Sequence, residues 1–245
     1  MNTHILGASI TRILHQLRHD PRTIGMLMVV PVVLMGLIYA MFAGAEPITS
    51  NILLIMLGLF PFVIMFLITS IAMLRERTSG TLERLMTTRT GKADLLFGYG
   101  IAFGAAAAVQ ASVAAACAYL LYGMTTAGSV SLVVLVAVCT ALLGVGLGLL
   151  CSAFARTEFQ AVQLLPIVVI PQALLCGLFV PRDEMAGWLQ AVSDVLPLSY
   201  AVEALQQVGA NAEPTSKFWL DLVVVGGCVI LALSLAAVTL RRRTP

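Results

Sequence analysis

Long runs of apolar residues, interrupted by short polar segments, make up most of this chain. A helix of about 20 apolar residues crosses a bilayer core that is roughly 30 Å thick. Six runs satisfy this requirement and predict membrane-spanning helices at residues 24–45, 52–74, 95–122, 132–154, 161–180 and 219–240. The pattern therefore predicts an all-α polytopic membrane protein, with a single transmembrane domain formed by residues 1–245.

Two further segments are amphipathic instead of uniformly apolar. In residues 1–23 the apolar positions share one helical face, which predicts an interfacial helix that ends at Asp20-Pro21: Leu6, Ile10, Ile13, Leu14 and Leu17. In residues 181–218 the apolar positions recur at three- and four-residue steps: Met185, Trp188, Leu189, Val192, Val195 and Leu196. This second pattern predicts an amphipathic or re-entrant helix at the outer leaflet, with another short helix over 199–208.

Composition and charge agree with a membrane protein and predict its orientation. Hydrophobic residues make up 60% of the chain and charged residues 11%, against about 25% charged residues in soluble proteins. Of the 14 lysines and arginines, only Arg182 and Lys217 fall on the side opposite the N-terminus. The positive-inside rule then predicts cytoplasmic termini, a cytoplasmic loop at 75–94 and an outer segment at 181–218. Because the basic residues sit at helix ends, we expect no nucleic-acid partner. Because the spans take up more than half of the chain, we expect no separate soluble domain.

The polar residues within the spans argue against two classes of function. The middle of each span lacks ionisable residues, and its most polar side chains include Gln110, Gln163 and Gln172. Ion-coupled secondary transporters usually carry charged groups there, so the pattern disfavours that class. A membrane-embedded enzyme needs a catalytic group such as paired carboxylates or a histidine cluster. The nearest candidates have the character of solvated loop charges: Asp183, Glu184 and Asp194.

Cysteine and glycine spacing predicts packing and no cofactor site. The five cysteines lie within predicted spans and lack metal-ligand spacing. The fourth span contains Gly144, Gly146 and Gly148, and small residues allow helices to approach closely in a membrane. A phosphate-binding loop is excluded there, because no strand precedes the glycines and no GK[ST] follows them.

The cytoplasmic loop has two interpretations on its pattern alone. A short helix starting near Gly80 would place Leu82, Leu85 and Met86 on one face and Glu83 on another. Such a small ridge suits docking into a groove of a cytoplasmic partner. The alternative is a solvated loop whose apolar residues rest on the membrane, and the pattern does not choose between them.

Two motifs at separate places resemble one known family. The stretch ERTSGTLERL at 76–85 is similar to the E-[RK]-x-x-G-T-L-E-[RK]-L signature of the type-2 permeases of ABC transporters. The segments GLFVP at 177–181, GWLQ at 187–190 and LPLSYAVEAL at 196–205 resemble the C-terminal pattern of the same family. The likeness covers the whole chain, and is greatest to bacterial drug-resistance and daunorubicin-type exporters.

This resemblance implies a set of partners. It implies a permease in the plasma membrane of a bacterium that binds no cofactor itself and pairs with two copies of an ABC ATPase, which uses ATP and Mg²⁺. A second permease subunit, identical or homologous, would complete the complex. The chain agrees in containing no G-x-x-x-x-G-K-[ST] motif. The implied cargo is a hydrophobic drug or lipid-like natural product, and the alternative is a cell-envelope lipid or glycan.

The resemblance also implies two groups of site residues. The cytoplasmic loop would form a coupling helix that receives force from the ATPase through Glu76, Gly80, Thr81, Leu82, Glu83, Arg84, Leu85 and Met86. The cargo path would run beside the second and fifth spans, where its candidate residues are Met56, Phe60, Phe62, Met65, Phe66, Gln163 and Gln172. Methionine and aromatic side chains adapt to apolar cargo of varied shape.

Overall fold

The structure is a computed structural model that describes residues 3–42, 44–79 and 92–239. These residues form helices and contain no strand. The elements are α1 (Thr3–Arg18), α2 (Pro21–Met41), α3 (Ile48–Thr78), α4 (Lys92–Leu120), α5 (Val130–Cys151), α6 (Glu158–Leu175), a 3₁₀ turn (Arg182–Glu184), α7 (Gly187–Ser193), α8 (Pro197–Ala210) and α9 (Ser216–Thr239). The predicted all-α fold is confirmed.

Six of these helices, α2 to α6 and α9, are long and apolar enough to cross a membrane. Their number agrees with the sequence, and each helix starts two to four residues before the predicted span, whereas only α3 also ends beyond its predicted span. The α2 helix starts at Pro21 because Asp20 caps it, and α6 starts at Glu158 because Thr157 caps it. The α6 helix ends at Leu175, short of the predicted residue 180, and the chain turns at Gly177 with a φ of 93°.

The α3 and α5 helices form the centre of the bundle, and two glycines set their separation. A Cβ atom added at Gly144 would lie 2.3 Å from the carbonyl oxygen of Phe62. One added at Gly148 would lie 2.1 Å from Oγ1 of Thr69. These contacts are shorter than van der Waals distance, so the two helices pack at a separation that only glycine permits. The predicted packing role of these glycines is confirmed.

The α1 helix lies against α4 and α2 at one end of the bundle, which we call the α1 end. Ile13 is buried there in a cluster that includes Leu96 and Tyr99, while Leu14 is exposed. Part of the apolar face of α1 therefore covers protein. Its position at a membrane interface stays a prediction.

The segment between α6 and α9 folds into the opposite end of the bundle. The predicted helix over 199–208 is present as α8, whose Leu205 packs on Gly58 of α3. The preceding helix is shorter than its apolar pattern indicated, because α7 covers only Gly187–Ser193, and Trp188 is 70% exposed. The Ser193 hydroxyl donates a 2.8 Å hydrogen bond to the carbonyl of Leu175, which satisfies backbone left free at the end of α6.

A polar network joins the elements of this end. The Arg182 side chain donates hydrogen bonds to Asp194 and to Glu203 of α8, and Glu203 also pairs with Lys217 of α9. Asp194 is 54% exposed, as expected for a solvated charge, and its carboxylate also pairs with Arg182. Asp221, which is buried near the start of α9, accepts a 2.7 Å hydrogen bond from Gln207. These charges fix α8 against α9 and the 3₁₀ turn.

Candidate functional site

A buried ionic cluster links three helices at the α1 end. Glu76, in the last turn of α3, accepts a 3.2 Å hydrogen bond from Nη1 of Arg12 on α1. The other terminal nitrogen of Arg12, Nη2, donates a 2.9 Å hydrogen bond to the hydroxyl of Tyr99 on α4. The Glu76 side chain is only 12% exposed, so water screens this pair weakly. The cluster Arg12–Glu76–Tyr99 therefore holds the end of α3 to α1 and α4.

A second ion pair connects the end of α3 to the start of α6. Nε and Nη2 of Arg75 donate hydrogen bonds of 2.7 Å and 3.1 Å to the two carboxylate oxygens of Glu158. This parallel geometry is the strongest form of an arginine–carboxylate contact. Both side chains are more than half exposed, so the pair orients the start of α6 relative to α3 but adds little to stability. Arg75 and Glu76 together therefore connect the end of α3 to α1, α4 and α6.

Polar atoms without partners mark the same end of α3. Oε2 of Glu76, and Nε and Nη2 of Arg77, are buried and make no hydrogen bond within the part of the chain that the structure describes. A buried polar group without a partner costs free energy, and proteins usually satisfy such groups. These atoms directly precede residues 80–91. The end of α3 therefore carries buried polar atoms whose hydrogen bonds the described residues do not complete.

The sequence identified only part of this cluster. Glu76 was predicted as a site residue, whereas Arg12 was read as a topogenic charge and Tyr99 was not singled out. Their sequence separations from Glu76 are 64 and 23 positions, so no local pattern joins them. The other predicted coupling residues lie outside the described residues: Gly80, Thr81, Leu82, Glu83, Arg84, Leu85 and Met86. Their role stays a prediction.

The predicted cargo-path residues divide by burial. Phe62, Met65 and Phe66 have no exposed surface. Met56 and Gln172 are also buried, at 5% and 3% exposure. The Gln172 side-chain amide donates a 2.9 Å hydrogen bond to the carbonyl of Val168 within α6. In this conformation the five residues pack inside the chain.

Two of the predicted path residues reach a surface. Phe60 of α3 is partly buried, and Gln163 of α6 is exposed. Gln163 is flanked on the open face of α6 by Ile167, which is 68% exposed. This arrangement leaves Phe60 and Gln163 able to contact a molecule outside the chain without any rearrangement.

Comparison with known proteins identifies a family whose model matches most of the chain. The family model described as ABC-2 type transporter matches residues 5–208. ABC transporter G family member 20 of Dictyostelium discoideum is 26% identical over 178 residues, which are 72% of this chain and 24% of that protein.

Two bacterial relatives carry names that refer to multidrug transport or to resistance. The probable multidrug ABC transporter permease YbhR of Escherichia coli is 28% identical over 156 residues, 64% of this chain and 42% of that protein. The linearmycin resistance permease protein LnrN of Bacillus subtilis is 27% identical over 166 residues, 68% of this chain and 41% of that protein. The chain thus spans less than half the length of each of these relatives. The match over residues 5–208 shows that the chain belongs to the ABC-2 type transporter family, whose members are transporter permeases.

Proposed function

We propose that this chain is a permease of an ATP-driven exporter that moves hydrophobic or amphiphilic compounds out of the cell. The observation that carries the proposal is the family match over residues 5–208, which includes the end of α3 with its ionic cluster. The family implies an ABC ATPase partner and a permease partner. We further propose two ATPase copies, an identical or homologous second permease, and ATP with Mg²⁺ bound only by the ATPase.

The cargo class is proposed from the relatives and from the chemistry of the chain. YbhR and LnrN are named for multidrug transport and linearmycin resistance. Apolar or amphiphilic cargo also suits a bundle whose described spans expose apolar side chains such as Ile167 and Leu174 of α6. We centre the path on Phe60 and Gln163. The buried residues then support it from behind: Met56, Phe62, Met65, Phe66 and Gln172.

Force would enter through the segment that follows α3. Closure of the ATPases would displace residues 80–86, and α3 would transmit the displacement because it continues unbroken to Thr78. Arg12 and Glu158 hold α1 and α6 to the end of α3, so these helices would move together with it. Such a mechanism needs two conformations of the permease that the ATPase biases. The ionic contacts make the end of α3 the point from which one conformation changes to the other.

The test of this proposal is co-purification of an ATPase with the tagged chain from its native membranes. We expect an ABC ATPase to accompany the wild-type chain, and to be lost from the double variant Leu82→Asp and Leu85→Asp. The matched control, Thr87→Asp with Thr88→Asp, adds the same charge to the same loop but off the predicted apolar ridge, and it should retain the ATPase. If no ATPase accompanies the wild type, or if both variants retain it equally, the proposal fails.

A further inference from the structure

A cleft of about 490 Å³ opens at the α1 end, beside the ionic cluster and between α1, α2, α3 and α4. Its volume lies in the range of about 300–1,000 Å³ that is typical of small-molecule sites. Asp20 of the α1–α2 turn and Arg75 of α3 lie at its polar part. Met26, Leu67 and Phe103 line its apolar part. The cleft thus has a charged region and an apolar region.

The two regions follow one another along α3. Arg75 and Leu67 are eight positions apart on this helix, which corresponds to roughly 12 Å at 1.5 Å per residue. Ile68, Ile71 and Ala72 fill the interval and are only partly buried, so apolar surface continues from the charged end inward. Since α3 is a membrane-spanning helix, this direction leads from the end of the bundle toward the hydrophobic layer. An amphiphile with one charged end matches this change from charged to apolar surface along the cleft.

Two oppositely charged side chains, Asp20 and Arg75, line the cleft without forming an ion pair with each other. The Thr23 hydroxyl and amide donate hydrogen bonds of 2.6 Å and 3.2 Å to Asp20, and these bonds, helped by the charge of Arg75, lower the pKa of Asp20 below its usual value. Asp20 and Arg75 form no ion pair in the described structure. Arg75 engages Glu158 through Nε and Nη2. An ionised carboxylate and a guanidinium with a remaining amino group, Nη1, are therefore both available to a ligand.

We propose that this cleft binds a zwitterionic phospholipid with a primary ammonium group, as in phosphatidylethanolamine. The ammonium would donate hydrogen bonds to Asp20, the phosphate would accept from Arg75, and one acyl chain would lie along α3 toward Leu67. A quaternary ammonium has no N–H to donate, so phosphatidylcholine would lose the contact with Asp20. Phosphatidylglycerol has the phosphate but no ammonium, so it would leave Asp20 without a partner and would bring a net negative charge close to that carboxylate.

The bound lipid would connect α3 to the turn between α1 and α2. The cluster Arg12–Glu76–Tyr99 lies directly beside the cleft, since Glu76 and Tyr99 also line it. A lipid seated there would fill the gap between these helices and restrain α1 relative to the end of α3. This site is separate from the proposed cargo path at Phe60 and Gln163, and its occupancy does not require the ATPase.

Native mass spectrometry of the full chain tests the site directly. The chain is mixed with equal amounts of phosphatidylethanolamine, phosphatidylcholine and phosphatidylglycerol, and the lipids that stay bound are counted. We expect phosphatidylethanolamine to be retained preferentially. Asp20→Asn should lower that preference about tenfold, because it removes a charge-assisted contact while asparagine still caps α2. Asp183→Asn, on the exposed 3₁₀ turn, is the matched control and should leave the preference unchanged.

A second pair of variants tests the apolar part of the cleft. Ala72→Phe should reduce retention of all three lipids, because its ring would occupy the cleft beside Ile68. Ala105→Phe adds the same ring at an exposed position of α4 and should have no effect. Equal retention of the three lipids by the wild type, or preference for either other lipid, would overturn the proposal. So would an unchanged preference in Asp20→Asn or unchanged retention in Ala72→Phe.

Discussion

The contact between α3 and α5 at Gly144 gives a prediction whose size follows from the structure. A Cβ at this position would lie 2.3 Å from the carbonyl oxygen of Phe62, whereas ordinary contact begins near 3.4 Å. Gly144→Ala therefore requires more than 1 Å of extra separation between two helix backbones, which cannot rotate away as a side chain can. Overpacking of this kind costs about 1–3 kcal/mol. At about 2–4 °C per kcal/mol for a protein of this size, the melting temperature should fall by roughly 2–12 °C.

Thermal unfolding of the purified chain in one detergent measures this effect, with Gly227→Ala as the matched control. Gly227 lies on α9, and no heavy atom lies within 4 Å of an added Cβ there. Alanine is favoured over glycine in a helix by about 1 kcal/mol, so this control should melt at the wild-type temperature or above it. If Gly144→Ala is as stable as Gly227→Ala, the close packing of α3 on α5 is wrong.

Two further predictions concern the charged networks at the ends of the bundle. Glu76→Gln should lower the free energy of unfolding by about 1–3 kcal/mol, because it leaves Arg12 partly buried without its counter-charge. The exposed pair of Arg75 should matter less, so that Glu158→Gln costs under about 1 kcal/mol, and denaturant titration of both variants checks the difference. Arg182→Ala should increase limited proteolysis between residues 182 and 196, because it removes the ion pairs of Arg182 with Asp194 and Glu203. Lys217→Ala leaves both of these ion pairs in place and should not increase proteolysis there. If Glu76→Gln and Glu158→Gln lower the free energy of unfolding equally, the difference in burial between the two ion pairs is wrong. If Arg182→Ala and Lys217→Ala increase proteolysis equally, the role of Arg182 in holding the 3₁₀ turn is wrong.

The six spans and α8 were predictable because their signals are local. A run of apolar residues reports burial in lipid or protein whatever surrounds it. The spacing of Gly144 and Gly148 also indicated close packing, although only the structure shows that α3 is the partner. The predicted first residues of the helices were less accurate. A helix begins at its cap, such as Thr157, and its first turn is often polar, whereas the apolar run starts a few residues later.

The site depended on contacts that no local pattern contains. Glu76 stood out through its motif, but its partner Arg12 lies on another helix and resembled any other charge at a membrane boundary. The sequence also did not indicate which face of α3 points into the bundle, because a uniformly apolar helix has no polar stripe that shows its orientation. Phe62 and Phe66, which the resemblance assigned to a cargo path, are both buried in this conformation, and their role in a path stays a prediction.

ATP-dependent transport in vesicles that contain the chain and its co-purified ATPase tests the central claim most directly. The account predicts that an amphiphilic dye moves across the membrane only when both proteins and ATP are present. It also predicts that the double variant Leu82→Asp and Leu85→Asp abolishes this movement while the chain remains in the membrane. Dye movement that continues without ATP, or that proceeds at the wild-type rate in the double variant, would contradict the account.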